Sequence, residues 1–325
     1  LTRQPPSGGL RLPPTNPYSP TLKERHTMTI SSLEQASVGA PVTRGGISVF
    51  PIYVAEAGLP PMATGPLAGL IVDEVPGGTV PHLVVTNPTD QAILIVEGEQ
   101  LVGGLQNRSP NVSVLVPAGE RLEIPVSCLE RGRWGRRESF RPGTTHTPRR
   151  VRRTKSREVA RTMAMSGLRS GNQGEVWHAI SSELNLMDVD SSTDAIADAD
   201  EVYKREPGRY SAVEELASMG PLPGQCGIVI AHGRRVVAGE VFGASELLKA
   251  HWEALIRSNL LERPTADGRP SATGALKLLR RFAAAESTQS PGIGLGTEHH
   301  IATDRTSGQA LTLDNSVVHA GIFAV

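Results

Sequence analysis

Within EGEQLVGGLQNR, residues 97 to 108, two carboxylates, a glycine pair and an amide–amide–guanidinium run follow directly on the apolar stretch AILIV, 92 to 96. Read as the end of one strand over 92 to 102, Glu97 and Glu99 stand two residues apart and share a face. Two carboxylates held close do not both ionise cheaply. They either work as an acid and a base or draw in a hard cation as half of a metal site. Gly103-Gly104 then allows a bulge or a close approach of backbone to ligand. Gln106, Asn107 and Arg108 offer planar forks suited to phosphate, carboxylate or a base edge. The alternative is that the same groups tie a sharp strand bend together internally.

VSCLERGRW, 126 to 134, has a similar character. Cys128 and Glu130 share a strand face, and Arg133 and Trp134 follow at its end. A thiolate nucleophile needs a base and a cationic neighbour. Arg131 or Arg133 would serve as the cation, but the base would come from far away in sequence. A buried structural cysteine is the alternative, and Trp134 reads as a wall or lid. His232, His251, His299, His300 and His319 fit no recognised zinc spacing, so no metal site is expected. PGIGLG, 291 to 296, lacks the spacing and the following helix of a dinucleotide loop and reads as a turn.

The elements that must position these residues change character along the chain. From 47 to 127, short apolar runs (47 to 54, 69 to 75, 82 to 87, 92 to 102, 112 to 117, 121 to 130) alternate with Pro, Gly and Asn turns. This spacing predicts an antiparallel sheet or sandwich. Helical spacing appears at 173 to 187. A second helix is predicted over 211 to 219, with Ser211 and Glu214 as a capping box and Gly220 as its stop. A hairpin is expected over 227 to 243, turning near His232-Gly233. The strongest amphipathic stripe, Leu247 to Leu260, follows it, then a helix over 273 to 285 and a closing strand meander over 298 to 325. The fold class is α+β, with a β-rich N-terminal half and C-terminal helices on a shared core.

At 325 residues, 38% hydrophobic and formally neutral, the chain can bury a large core and is not an electrostatic nucleic-acid binder. The 4% aromatic content argues against a base-stacking platform. Charge is nonetheless uneven: residues 131 to 157 hold eleven Lys and Arg and one acid, whereas 183 to 215 hold ten acids and three bases. The basic run reads as a solvated connector, with contact to a partner as the other use for it. Two cysteines exclude a disulfide framework. With neither a signal peptide nor an apolar run of membrane-spanning length, a cytoplasmic protein is expected. Residues 1 to 27, with six prolines, read as a disordered extension.

EGEQLVGGLQNR, VSCLERGRW, NQGEVW (172 to 177), LPGQCGIVIAHGRRVVAGEVFG (222 to 243) and the terminal VVHAGIF together resemble one family: the first of the two named for association with ADP-ribosylglycohydrolase and the rhodanese-phosphatase superfamily. The resemblance covers about 40 to 325 as a single domain, divided into a β-rich part (40 to 130), the basic connector (131 to 157) and an α+β part (158 to 325). It implies binding, and processing, of a small phosphorylated or nucleotide-like metabolite of ADP-ribose or NAD metabolism. The resemblance carries over no catalytic residue; the density of polar forks itself suggests Arg108 and Arg133 on anionic groups, Gln106 and Asn107 on polar edges, Glu97 or Glu99 as base or metal ligand, and Trp134 stacking or excluding water. The readings set against it are a non-catalytic scaffold for a partner enzyme and a cysteine hydrolase using Cys128. The resemblance names no cofactor.

Overall fold

A computed structural model describes residues 25–26 and 30–325, apart from 56–57, 67, 78–79, 134–137, 201–204 and 261. The extension expected over 1 to 27 lies outside the described residues except for Arg25–His26 (β1), which pairs with Ser287–Thr288. The class is α+β, as expected. Its N-terminal half folds as β2 (Ser37–Val38), β3 (Val42–Arg44), β4 (Ile47–Tyr53), β5 (Met62–Thr64), β6 (Ile71–Glu74), β7 (His82–Thr86), β8 (Ala92–Ile95), β9 (Leu101–Gly104), β10 (Arg108–Pro110), β11 (Val114–Val116), β12 (Arg121–Cys128) and β13 (Glu138–Pro142). Strands β13-β9-β10-β12-β7-β6 form one sheet and β11-β8-β5 a second. A hairpin of β14 (Gly227–His232) and β15 (Arg235–Phe242), then β16 (Ser287–Pro291), β17 (Thr297–Ala302), β18 (Thr306–Leu313) and β19 (Ser316–Ala324), join β1 to β4 in a large antiparallel sheet of order β1-β16-β17-β18-β19-β15-β14-β4-β2.

Alternation along β14 sorts the large sheet's two faces. Val229 and Ala231 pack with Leu33 of α1 (Ser31–Glu34) and with Leu279 and Phe282 of α6 (Ala272–Ala283). Ile228 and Ile230 pack on the other face with Leu216 of α4 (Pro207–Met219), with Leu248 and Trp252 of α5 (Ser245–Leu260), and with Leu94 and Leu115 of the small sheet. The small sheet is therefore docked on the large sheet through apolar side chains, while the six-stranded sheet packs Leu83, Val85, Ile124 and Val126 against Ile95, Val114 and Val116 of the small sheet in a cluster of its own.

Three sequence expectations change. The run 92 to 102 is two strands, because Gly98 turns the chain at φ +95°, a left-handed conformation that only glycine takes without strain. Helix α4 starts at Pro207, so Ser211 is a first-turn residue whose hydroxyl donates to Pro207 O and not a cap. The basic 131 to 157 stretch is not a solvated connector: 138–142 is β13, and from Arg149 it is the first half of α2 (Arg149–Ser166). Arg149, Arg152 and Lys155 are buried with Val151, Val159 and Met163 on the helix's inner face.

Candidate functional site

The turn at Gly98 sends Glu97 and Glu99 to different places. Glu97 Oε2 accepts from Arg152 Nε (3.0 Å) and Nη2 (2.8 Å), and its Oε1 lies 2.9 Å from Lys155 Nζ. Arg152 donates equally to Glu240, from Nη1 to Oε2 (2.9 Å) and from Nη2 to Oε1 (2.8 Å). The formal charges cancel, two cations against two carboxylates. Two glycines make room for Arg152: a Cβ on Gly98 would lie 2.2 Å from its Nε, and one on Gly321 2.9 Å from its Nη2. Burial alone would raise Glu240, but Arg152 and the hydrogen bond from His319 outweigh it and hold the carboxyl at about 2. Burial likewise opposes the charge on Arg152, and Glu240 and Glu97 outweigh it, leaving its pKa raised.

Proton counting fixes the next link. Ser113 Oγ accepts from Glu97 N (2.9 Å) and Gln309 Nε2 (3.3 Å), which fills its lone pairs, so its own proton goes to His319 Nδ1 at 2.8 Å. His319 Nε2–H then donates to Glu240 Oε1 at 2.7 Å. Hydroxyl, imidazole and carboxylate stand in the order of an activated serine. Yet Ser113 and His319 are 1% and 0% exposed, so no substrate reaches the oxygen. The arrangement ties α2, the small sheet and the large sheet together, as a lock.

Glu99 borders a second buried group. Val96 N donates to its Oε1, which lies 3.6 Å from His251 Nε2. Thr64 Oγ1 spends its proton on Leu94 O (2.7 Å), so His251 Nε2 is the donor to Thr64 (2.7 Å) and His251 Nδ1 the acceptor facing His146 Nε2 (3.3 Å). Burial raises Glu99 to about 7 and lowers His251 to about 3.

The remaining predicted residues do converge. β10 and β12 pair with Arg108 opposite Cys128, so the two signature segments meet at one sheet end. Arg133 donates to Glu130 Oε2 (2.9 Å), Asn107 Oδ1 (3.1 Å) and the carbonyls of Gly103 and Gly104 (3.1 Å each). Glu130 also accepts from Asn107 N (3.3 Å) and Thr193 Oγ1 (3.0 Å). Arg108, 1% exposed, donates to Gln106 Oε1 at 3.2 Å. The glycine pair admits β13, not a ligand: a Cβ on Gly103 would lie 2.4 Å from Ser139 O. These forks are occupied by the chain itself, as a brace. Cys128 is fully buried, and burial pushes its thiol up despite Arg108, the reverse of what a nucleophile needs. Trp134 lies outside the described residues. Among the described residues no group of three His, Cys, Asp or Glu side chains is placed to hold a metal ion.

The open space lies elsewhere. A cleft of about 620 Å³ separates the β7 and β12 surface from the 167–173 loop, with Val80, Pro125, Leu168 and Ile293 as apolar wall. His82, Asn111, Glu123, Ser127, Arg169, Ser170 and Gln173 are its polar groups, with Glu123 3.4 Å from His82. Helix α2 ends at Gly167 (φ +78°), and Asn172 caps α3 (Gln173–Leu186) by accepting from Gly174 N and Glu175 N. Gln173 clamps Cys128, accepting from its N–H (2.8 Å) and donating to its carbonyl (3.0 Å). Asn111 Nδ2 donates to Arg169 O (3.0 Å) and Asn111 Oδ1 accepts from Ser127 Oγ (2.7 Å), so the loop is tied to the sheet floor. Of the lining residues, Val126, Ser127 and Gln173 fall inside the signature segments, whereas His82, Glu123, Pro125 and Ile293 fall in stretches read as strand or turn. The glycine-flanked GLRSGNQG between two helical periods was the signal the sequence reading passed over.

No helix is long and apolar enough to cross a membrane among the described residues. No curated protein and no solved structure matches the chain. The family model of the ARG and Rhodanese-Phosphatase-superfamily-associated Protein domain, ARPP-1, matches residues 35–323, and the chain belongs to that family.

Proposed function

We propose that the protein binds, and processes, a small phosphorylated or nucleotide-like metabolite in the cleft between β12 and the 167–173 loop. The supporting observation is the cleft itself: about 620 Å³, walled by apolar side chains and lined by a few polar ones, among them His82, Glu123, Ser127 and Gln173. That combination of size, apolar wall and few oriented polar groups is typical of small-molecule sites. Arg169 lines one end, its guanidinium donating to Glu298 (2.8 and 3.0 Å), Ser290 Oγ (3.3 Å) and Pro291 O (2.6 Å). Arg108 and Arg133, first candidates for the anion, are engaged in the brace. With ARG in the family's name read as ADP-ribosylglycohydrolase, an ADP-ribose-derived compound is the first ligand to try. The same name supports a second reading, a scaffold beside a partner enzyme, which the exposed Leu168 (61%) in the cleft wall and Met165 (75%) in the last turn of α2 favour.

Isothermal titration with ADP-ribose, NAD, AMP and ADP tests the first reading. Binding by the wild type, lost in Ser170→Trp (an exposed rim position) and kept in Arg133→Gln, is the expected result. Binding that survives Ser170→Trp and disappears in Arg133→Gln returns the site to the brace.

A further inference from the structure

Helix α2 carries two rows of cations with opposite fates. The inner row is fully matched: Arg149 lies 2.6 Å from Glu262, Arg152 pairs with Glu97 and Glu240, and Lys155 with Glu97. Arg150, Arg153 and Arg157, spaced three and four residues apart, form a neighbouring stripe of the helix. Only its first member is matched, Arg150 to Glu183 at 3.5 Å. Arg153 and Arg157 have no ion-pair or hydrogen-bond partner among the described residues, and neither does Arg235 at the start of β15. Arg153 is half-buried. Burial lowers its pKa, and Arg149, Arg150, Arg157 and Arg235 lower it further, so the charges it senses are all of its own sign.

A half-buried guanidinium surrounded by like charge is destabilised twice, by lost hydration and by repulsion. A fold that neutralises each inner cation has left these three without a carboxylate. Guanidinium groups one helical turn apart, about 5–6 Å at Cβ, match the oxygens of one phosphate or of a diphosphate through forked hydrogen bonds. Arg157 also lines a cleft of about 420 Å³ between α2 and strands β16 and β17, with Thr288, His300 and Thr303, which gives room for the organic part of a ligand. The two carboxylates there are Glu286 and Glu158, the latter already held by Arg161 at 2.9 Å. We propose that Arg153 and Arg157, one helical turn apart on α2, form a binding site for the phosphate or diphosphate group of a small molecule, separate from the cleft at the 167–173 loop. Two free cations on a chain of zero net charge fit a small anion better than a nucleic acid, which would track a longer basic surface.

Thermal unfolding with inorganic phosphate, pyrophosphate and a 20-nucleotide single-stranded RNA, at matched ionic strength, tests this. Pyrophosphate at a hundred times its Kd raises the wild-type Tm by about 4 °C. In Arg153→Gln and Arg157→Gln that rise is lost, while the unliganded Tm is equal to or above wild type, because a repelled charge has gone. Ser170→Trp keeps the pyrophosphate rise, which separates this site from the proposed cleft. Three results each overturn the proposal: no rise in the wild type with either phosphate compound, an undiminished rise in Arg153→Gln, or a response to RNA alone.

Discussion

Arg152→Met removes the centre of the buried lock. Four charged hydrogen bonds of 2.8 to 3.0 Å disappear with it, two to Glu97 and two to Glu240. Glu97 keeps Lys155, and Glu240 keeps only His319, in surroundings that are 4% exposed or less. Breaking a buried pair by deleting one partner costs about 3–5 kcal/mol, because the other charge stays desolvated. With an unfolding entropy of about 2.1 cal/mol/K per residue over roughly 300 residues, one degree corresponds to about 0.6 kcal/mol, so Tm falls by roughly 5–8 °C. Urea unfolding followed by circular dichroism measures the same loss as a shift in midpoint at constant slope. Arg161→Met is the control: its pair with Glu158 is 55% exposed on the arginine side and contributes less than about 1 kcal/mol. Arg152→Met combined with Glu97→Gln and Glu240→Gln recovers part of the loss, since the stranded carboxylates are neutralised. A loss for Arg152→Met no larger than that for Arg161→Met would refute the reasoning.

Three more outcomes follow from the same contacts. Burial lowers His232 and His299 to about 4 and His251 to about 3, so between those values and pH 6.5 the unfolded chain binds protons that the folded chain refuses. Each of these histidines, and His146, which burial lowers as well, costs about 1.4 kcal/mol of stability per pH unit on acidification below pH 6.5. Glu99 and Glu183, raised by burial to about 7, each offset a similar amount over the same range, so the net loss between pH 6 and 4.5 is no more than about 3 kcal/mol per unit; a urea midpoint that rises on acidification over that range contradicts it. Glu99 is shifted the other way, to about 7, so its contribution is present at low pH and lost as pH rises through 7. Glu99→Gln accordingly stabilises the chain at pH 8.5, by no more than about 3 kcal/mol, and leaves it nearly unchanged at pH 4, below the unfolded carboxyl pKa; equal effects at both pH values count against this. Gly98→Ala places a methyl 2.2 Å from Arg152 Nε at a φ of +95° and lowers Tm at least as much as Arg152→Met, which differential scanning calorimetry reads directly.

The fold class, the hairpin at 227 to 243 and the helix over Leu247 to Leu260 were legible because each is set by local periodicity. The sequence alone leaves open whether the two signature segments meet, and the register of Arg108 with Cys128 answers it. What local pattern could not carry were partnerships across the chain. Glu97 meets Arg152 55 residues away, and Arg152 meets Glu240 88 residues away. Without those partners on view, an arginine-rich helix with three buried cations looks like a solvated stretch. Glu97 and Glu99 were read onto one strand face because a lone glycine inside an apolar run gives no sign of whether it turns. The brace residues were correctly grouped, but amide and guanidinium forks bind backbone carbonyls as readily as ligands. Only distances show that Arg133 is occupied by Glu130, Asn107 and two glycine carbonyls.

Hydrogen–deuterium exchange with and without saturating ADP-ribose separates ligand cleft from brace most directly. The expected pattern is slowed exchange over 80–82, 123–127 and 167–173, with 103–108 and 128–133 unchanged. Protection confined to 103–108 and 128–133 would contradict the account, because the groups taken here as internal struts would then be the ones that hold the ligand.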